Sequence, residues 1–524
     1  MSRLKNFSRS LVSGYLLIGV NVLYTLASVP LALHYLSKAE FGLWATVLQI
    51  ANFIALVDLG MGSSIARILI DHKDDRHNGR YGGAIKSGFL VGAAQGAITL
   101  VVGLSLVWFL AGWMKLNTEL ARPFFWLMIG QVCLTAAMFS TRMFSQVLYA
   151  WQRMDVGNYG TMIQLLAGFA TLWISFQVGF GIFSLLAGAA MAWLCGVVIN
   201  AWACWRLGFW PRPGEWGRAS RQQFRELFHY GADVFLISIG TQLIMSSQTV
   251  LISRQLGVEA AALWSVMTKM FTLISQVVLK IIGNAMPAFA EMQVRREWDR
   301  LWHRYRGLFI TTNVVAGVCG VLFAACNGPF VNLWTQGKFS WAMVDNVLLG
   351  IWLVMSTQQC CHNSMIACLK EIKSLKYVFL LEGVVFVGVA LAILPSKGLT
   401  GMLSCSLLAT TLFTWSGGVW RIAALSKMGL KPLLWDWQKP LLVILMVMVP
   451  IWLALDWVLP EASSWVRFVV NGTLLTVTGA WVAIRFALPH DFVNEIMGKL
   501  PAPVQQILHR LKTGRNPHAI GEKW

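Results

Sequence analysis

Long apolar runs separated by short polar stretches repeat along the whole chain. A helix rises about 1.5 Å per residue and the hydrocarbon core of a bilayer is about 30 Å thick, so uncharged runs such as 87–114, 307–337 and 398–420 are long enough to span it. Fourteen such spans are predicted, near 11–33, 41–62, 84–114, 123–149, 159–179, 182–205, 231–253, 258–288, 307–333, 343–369, 377–394, 400–425, 439–457 and 464–486. The pattern predicts an all-α polytopic membrane protein.

The longest polar connector between spans, 206–230, divides the first twelve spans into two groups of six. It contains Pro211, Pro213 and Gly214. The predicted organisation is an N-terminal six-helix bundle (1–205), a cytoplasmic linker (206–230), a C-terminal six-helix bundle (231–425), an extra transmembrane helix pair (426–486) and a basic amphipathic cytoplasmic tail (487–524).

The two groups of six spans share a sequence register. A shift of 220 residues aligns Leu43-Trp44 with Leu263-Trp264, and Leu36 aligns with Leu256 at the same offset. Because six is an even number, both halves enter the membrane from the same side and form parallel repeats. A ligand site is expected between the halves.

Composition agrees with a membrane protein, and the position of the charges predicts its orientation. The chain is 57% hydrophobic and 12% charged, whereas soluble domains carry about 25% charged residues. With the N-terminus inside, the predicted cytoplasmic segments and adjacent helix ends hold 34 of the 42 Lys and Arg residues. Such a bias sets topology, so the net charge of +19 indicates contact with anionic phospholipids and not nucleic acid, and both termini are expected to be cytoplasmic.

Several kinds of chemistry have no support in the sequence. The nine cysteines lie in apolar segments, which implies no disulfide framework, and Cys360, Cys361, His362 and Cys368 share one span as packing residues and not as metal ligands. No GxxxxGK[ST], HExxH or GxSxG motif occurs, and the predicted outer loops are short. Neither a cofactor, nor a metal, nor catalysis is therefore expected.

Lys269 is the strongest candidate for a functional residue. It lies in the otherwise uncharged stretch 260–279, roughly 14 Å from its start at 1.5 Å per residue, which is near the bilayer centre. A charge at that depth costs about 2.5–3.5 kcal/mol on insertion scales and usually faces a cavity or a partner. Pairing with a backbone carbonyl between helices is the structural alternative. Under the 220-residue shift its counterpart is Gln49.

Other polar residues fall near the cytoplasmic ends of the predicted spans. They are Asp58, Arg67, Arg142, Asp233, Lys280 and Glu382. Snorkelling or helix capping explains each of them singly, but together they could line a vestibule with a positive surplus. Substrate binding is therefore predicted for Lys269, Arg67, Gln49, Arg142, Lys280 and Asp58. The segment 291–306, which mixes arginines with Trp298, Trp302 and Tyr305, is expected to be either an interfacial helix or a solvated loop.

Two stretches resemble a known family. They are 14–67, with "PLALHYLSKAEFGLWATVLQIANFIALVDLGMGSSIAR", and 224–256, with "FRELFHYGADVFLISIGTQLIMSSQTVLISRQL". They look like the polysaccharide-transporter branch of the multidrug/oligosaccharidyl-lipid/polysaccharide (MOP) superfamily, the Wzx-type flippases of O-antigen and exopolysaccharide assembly. The resemblance implies a V-shaped, MATE-like pair of bundles in the bacterial inner membrane. It also implies transport of an undecaprenyl-diphosphate-linked oligosaccharide, with Lys269 and Arg67 positioned for the diphosphate and a polysaccharide polymerase and chain-length regulator as possible partners.

Two other functions compete with that interpretation. A cation-coupled multidrug exporter of the same superfamily would favour buried carboxylates, of which the predicted spans have almost none at mid-depth. A membrane enzyme of glycan assembly would need a longer outer loop. Neither the glycan nor a coupling ion can be identified from the sequence.

Overall fold

The computed structural model describes residues 3–59, 61–72, 78–114, 116–217, 235–369, 371, 375–459 and 463–488. Within these residues the regular structure is entirely helical, which confirms the predicted fold class. Asp233, most of the predicted linker and the predicted tail beyond Leu488 lie outside the described residues.

The described helices follow the predicted spans closely. They are α1 (Arg3–Tyr35), α2 (Lys38–Ile54), α3 (Met61–His72), α4 (Arg80–Trp113), α5 (Thr118–Thr141), α6 (Met143–Ala150), α7 (Met154–Gln177), α8 (Phe183–Arg206), α9 (235–245), α10 (Ser247–Leu256), α11 (Val258–Met267), α12 (Lys269–Val294), α13 (Trp298–Trp334), α14 (Met343–Cys368), α15 (Leu375–Thr410), α16 (Ser416–Ser426), α17 (Lys439–Val458) and α18 (Ser464–Val482).

Twelve helical segments of the described chain are long and apolar enough to cross a membrane. Two details reconcile this number with the fourteen predicted spans. The segment Leu375–Ser426 contains two predicted spans, and its backbone turns at Gly398, where φ is 57°. Helix α14 is not among the twelve because it carries polar residues, including Asn346, Gln358 and His362, but these side chains are buried within the protein.

The first compact unit comprises residues 1–265 and 379–395. Within it, α1 packs on α7, α7 on α8, α4 on α5, and α2 on both α5 and α10. Glycine permits the close approach of α4 to α5, since a Cβ at Gly92 would lie 2.6 Å from the Phe139 carbonyl oxygen and one at Gly96 would lie 2.9 Å from that of Ala136. Gly92 and Gly96 therefore allow the short distance between α4 and α5.

The second compact unit comprises residues 266–378 and 396–524, as far as it is described. Helix α13 lies at its centre and contacts α12, α14, α17 and α18, and most of the apolar stretch of α13 is buried. Gly320 and Gly350 lie at the crossing of α13 and α14, where a Cβ on Gly320 would be 2.9 Å from the Gly350 carbonyl oxygen. The extra helix pair, α17 and α18, packs directly on this central helix.

The segment 291–306 forms neither the separate interfacial helix nor the solvated loop that were predicted as alternatives. Helix α12 continues to Val294, and α13 begins at Trp298 after a turn in which Arg296 has a φ of 59°. Trp302 and Tyr305 are buried, and the Tyr305 hydroxyl lies 2.7 Å from Nδ1 of buried His362. These two aromatic side chains pack inside the unit because α13 begins at Trp298, about two and a half turns before its predicted start.

Candidate functional site

The first polar cluster forms where the second predicted span breaks. Helix α2 ends at Ile54, a single 3₁₀ turn follows to Asp58, and Leu59 has a φ of 50°. A helix that stops leaves carbonyl groups without intrahelical donors. Gln95 of α4 satisfies two of them, since its Nε2 donates to the carbonyl oxygens of Val57 at 3.3 Å and Asp58 at 2.8 Å.

Arg142 completes this cluster. It occupies the junction between α5 and α6, and its Nη1 donates to the Asp58 carboxylate while its Nη2 donates to Gln95 Oε1 at 2.5 Å. The guanidinium also lies 5.5 Å from the centre of the Phe139 ring. Among the described residues the buried Nε of Arg142 has no hydrogen-bond partner. The structure therefore joins two predicted site residues, Asp58 and Arg142, into one ion pair.

A second break lies immediately before Lys269. Helix α11 ends at Met267 and α12 begins at Lys269, with Thr268 between them. The Nδ2 of buried Asn327 donates to the Met267 carbonyl oxygen at 3.2 Å and also to Asn346 Oδ1 at 2.7 Å. Asn327 of α13 thus stabilises the end of α11.

Lys269 is partly buried at this break. Within the described part of the chain, its ammonium group makes neither a hydrogen bond nor an ion pair. Lys280 lies on the same helix about 16 Å further along, at roughly 1.5 Å per residue, and is exposed. Lys269 is therefore a separate cationic position on α12.

The remaining predicted residues belong to the first unit. Gln49 Oε1 accepts from Asn52 Nδ2 at 3.1 Å, and Gln242 Nε2 reaches the Asn52 carbonyl oxygen at 3.5 Å. Arg67 lies on α3, and its side chain is outside what the structure describes. The predicted roles of all six residues in substrate binding stay predictions.

The second unit contains an apolar cavity of about 440 Å³ between α13, α14 and α17. Amide groups border it: Gln358 and Gln438 exchange hydrogen bonds of 3.0 and 3.2 Å, Asn313 donates to Gln438 at 2.8 Å, and Trp415 Nε1 donates to Gln358 at 2.8 Å. This network ties the extra helix pair to the six-helix bundle through Gln438.

The profile of a family described as "Polysaccharide biosynthesis protein" matches residues 8–293, which is more than half of the chain. The chain belongs to the polysaccharide biosynthesis protein family. The match begins in α1 and ends in α12, so it includes both helix breaks and all six predicted site residues. No curated protein matches the chain.

Solved transporter structures share the fold of this polysaccharide biosynthesis protein. An inward-facing multidrug resistance MATE family transporter of the MOP superfamily has a TM-score of 0.61 at 14% identity, over 78% of this chain and 95% of that one. A MOP superfamily transporter from Pyrococcus furiosus Vc1 (DSM3638), titled for the reverse polarity of its binding pocket, has a TM-score of 0.56 at 16% identity, over 80% and 96%. A MATE structure in complex with MaL6 has a TM-score of 0.54 at 17% identity, over 81% and 97%. The fold is thus that of MOP superfamily transporters.

Gln95 is the member of the first cluster that sequence reasoning missed. Its signal was available, because a glutamine in the middle of the apolar run 87–114 must find hydrogen-bond partners within the protein. Asn327 carried a similar signal in the run 307–337. Neither residue is charged, and the predicted site rested on charged residues within the spans.

Proposed function

We propose that this protein is a flippase that moves an oligosaccharide linked to undecaprenyl diphosphate from the inner to the outer leaflet of the bacterial inner membrane. Family membership supports a role in polysaccharide assembly, and the shared fold supports transport. The proposed mechanism is alternating access without enzymatic activity, with the polyprenyl chain kept in lipid. A hydrated path for the sugar would avoid stranding its hydroxyl groups in hydrocarbon, at several kcal/mol each.

The observation that carries the proposal is the ammonium group of Lys269. It is partly buried at a helix break and has no anionic partner in the described parts of the protein. A cation that the protein leaves unpaired favours an anionic ligand, and a diphosphate supplies acceptor oxygens and negative charge together. By contrast, Arg142 is already neutralised by Asp58, so it contributes less net attraction.

Cation export is the competing function, because two of the solved neighbours are multidrug or ligand-bound MATE structures. A cationic drug requires a carboxylate that is free to receive it. Asp58 contacts Arg142 and Asp345 accepts a 2.6 Å hydrogen bond from Thr400, so both carboxylates are engaged. The charges therefore favour an anionic cargo.

The test is transport in reconstituted vesicles, measured as the appearance of a labelled polyprenyl-diphosphate oligosaccharide in the opposite leaflet. Replacing Lys269→Gln should lower transport about tenfold or more, since a hydrogen bond to a charged group is worth about 1.5–3 kcal/mol. Lys269→Arg should retain transport. Lys397→Gln removes an exposed lysine as the matched control and should behave as wild type.

The outcomes separate the site from the function. If Lys269→Gln transported at the wild-type rate with unchanged affinity, the site assignment would be wrong while the function stood. If the wild-type protein moved no lipid-linked sugar but exported a cationic dye from the same vesicles, the exporter would be the correct function.

A further inference from the structure

A second cavity of the second unit, of about 630 Å³, is lined by charged and aromatic residues that the transport proposal does not use. It lies where three helix ends meet, at the start of α13, the end of α16 and the start of α17. The positive-inside pattern predicts that these ends face the cytoplasm. The cavity therefore lies at the depth where lipid headgroups are expected on the inner side.

Four lining residues share one face of α13. They are Asp299, Trp302, His303 and Arg306, at positions i, i+3, i+4 and i+7, which is the spacing of a helical stripe. The carboxylate of Asp299 and the guanidinium of Arg306 are both exposed to the cavity side of this stripe. Neither makes an ion pair or a side-chain hydrogen bond with any described residue. One helix face thus presents a carboxylate and a guanidinium group, two turns apart, that can both contact a ligand.

The lining of the cavity also contains an ion pair near the start of α17. Lys439 Nζ lies 2.6 Å from the Asp436 carboxylate, and Arg306 and Lys431 are close enough to attract the same carboxylate. The cationic groups near Asp436 therefore outnumber its single negative charge. An anion entering here meets Arg306 and Lys439, while the Asp299 carboxylate remains at the other end of the α13 stripe.

Two indole rings close the cavity toward the interior. Trp302 is 8% exposed and Trp437 is 2% exposed, so their rings line the buried end of the cavity and do not project into the membrane surface. The lining thus combines separated positive and negative charges with two tryptophan rings, at the ends of membrane-spanning helices. A purely anionic ligand would leave Asp299 facing like charge, whereas a zwitterion satisfies both ends.

We infer that this cavity binds the headgroup of a phospholipid that carries both a phosphate and a primary ammonium, such as phosphoethanolamine. The phosphate contacts Arg306 and Lys439, and the ammonium donates to the Asp299 carboxylate, with Trp302 beside it. Bound there, the lipid holds the start of α17 against α13 and so anchors the extra helix pair to the bundle. This inference does not depend on the cargo that the protein transports.

The test is native mass spectrometry of the purified full chain with an equal mixture of phosphatidylethanolamine, phosphatidylglycerol and phosphatidylcholine. Wild-type protein should retain phosphatidylethanolamine about tenfold over the other two lipids, the ratio that about 1.4 kcal/mol produces. Arg306→Gln should lower its retention about tenfold. Asp299→Asn should abolish the preference over phosphatidylglycerol, because only the ammonium contact is lost.

The control variants are Glu291→Gln and Arg295→Gln, which break an exposed ion pair at the C-terminal end of α12, outside the cavity, and should leave lipid retention unchanged. All four variants alter exposed side chains, and equal thermal transition temperatures would show that each one is folded. A preference for phosphatidylglycerol in the wild type, or a preference that neither cavity variant changes, would overturn the inference. Displacement of the lipid by millimolar soluble phosphoethanolamine would also overturn it, by assigning the cavity to a free solute.

Discussion

At the scale of single residues, a polar side chain within the membrane costs free energy unless it has a hydrogen-bond partner or binds a ligand. Gln95 and Asn327 donate to backbone carbonyl groups at helix breaks, and Asn346 accepts a hydrogen bond from Asn327. Lys269 is different because the described residues provide no anion for it. The sequence singles out Lys269 as an intramembrane charge, but only the fold shows whether a carboxylate from a distant helix lies close enough to neutralise it.

The Asp58–Arg142 pair should stabilise the first unit as a coupled interaction. Asp58→Asn and Arg142→Gln should each lower the thermal transition temperature, since a single change leaves a partly buried charge unpaired. Because both changes act on one contact, the double variant should cost less than the sum of the singles, by about 1–2 kcal/mol. Thermal-shift measurements on the four proteins check this. Additive effects would show that the pair contributes no coupling energy.

The variant Gln95→Leu tests whether Gln95 stabilises the break at the end of α2. It removes the donor to the Val57 and Asp58 carbonyl oxygens and the acceptor for Arg142, so we expect a loss of about 1–3 kcal/mol. Gln95→Glu keeps an acceptor for Arg142 but loses the donor, so its effect should be intermediate. Equal stability of Gln95→Leu and wild type in a thermal-shift measurement would contradict this role.

At the scale of helices, small residues decide how closely neighbours pack. The sequence predicted where apolar helices occur, because hydrophobic runs and their lengths are local properties. It predicted less well where they break. The 3₁₀ turn after Ile54 and the interruption at Thr268 lie inside apolar runs without proline, and partners from α4 and α13 stabilise them.

A pair of glycine substitutions tests the α13–α14 crossing. Gly320→Ala should lower stability by about 1–3 kcal/mol, because its Cβ would lie 2.9 Å from a backbone oxygen on α14 and the helices must separate. Gly388→Ala is the matched control, since no atom lies within 4 Å of its Cβ, and it should keep or raise stability through higher helix propensity. If thermal-shift measurements ranked the two variants in the opposite order, close packing at the α13–α14 crossing would not determine stability.

At the scale of the whole molecule, the distribution of positive charge predicts the orientation in the membrane. Alkaline phosphatase fused after residue 116 or 337 should be active, because these predicted outer loops reach the oxidising side. Fusions after residues 152, 428 and 524 should be inactive, and green fluorescent protein at the same positions should fluoresce. An active phosphatase at residue 428 would reverse the predicted orientation of the last helices.

The sequence by itself determined the class of this protein and the positions of its long apolar helices, because apolar runs act locally, and residues 8–293 alone suffice for the family match. Tertiary structure alone decided which polar groups meet. Asp58 and Arg142 are 84 residues apart, and Asn327 is 60 residues from the carbonyl group that it caps. Such contacts depend on how helices pack and where they break, and both are set by side chains from several helices at once.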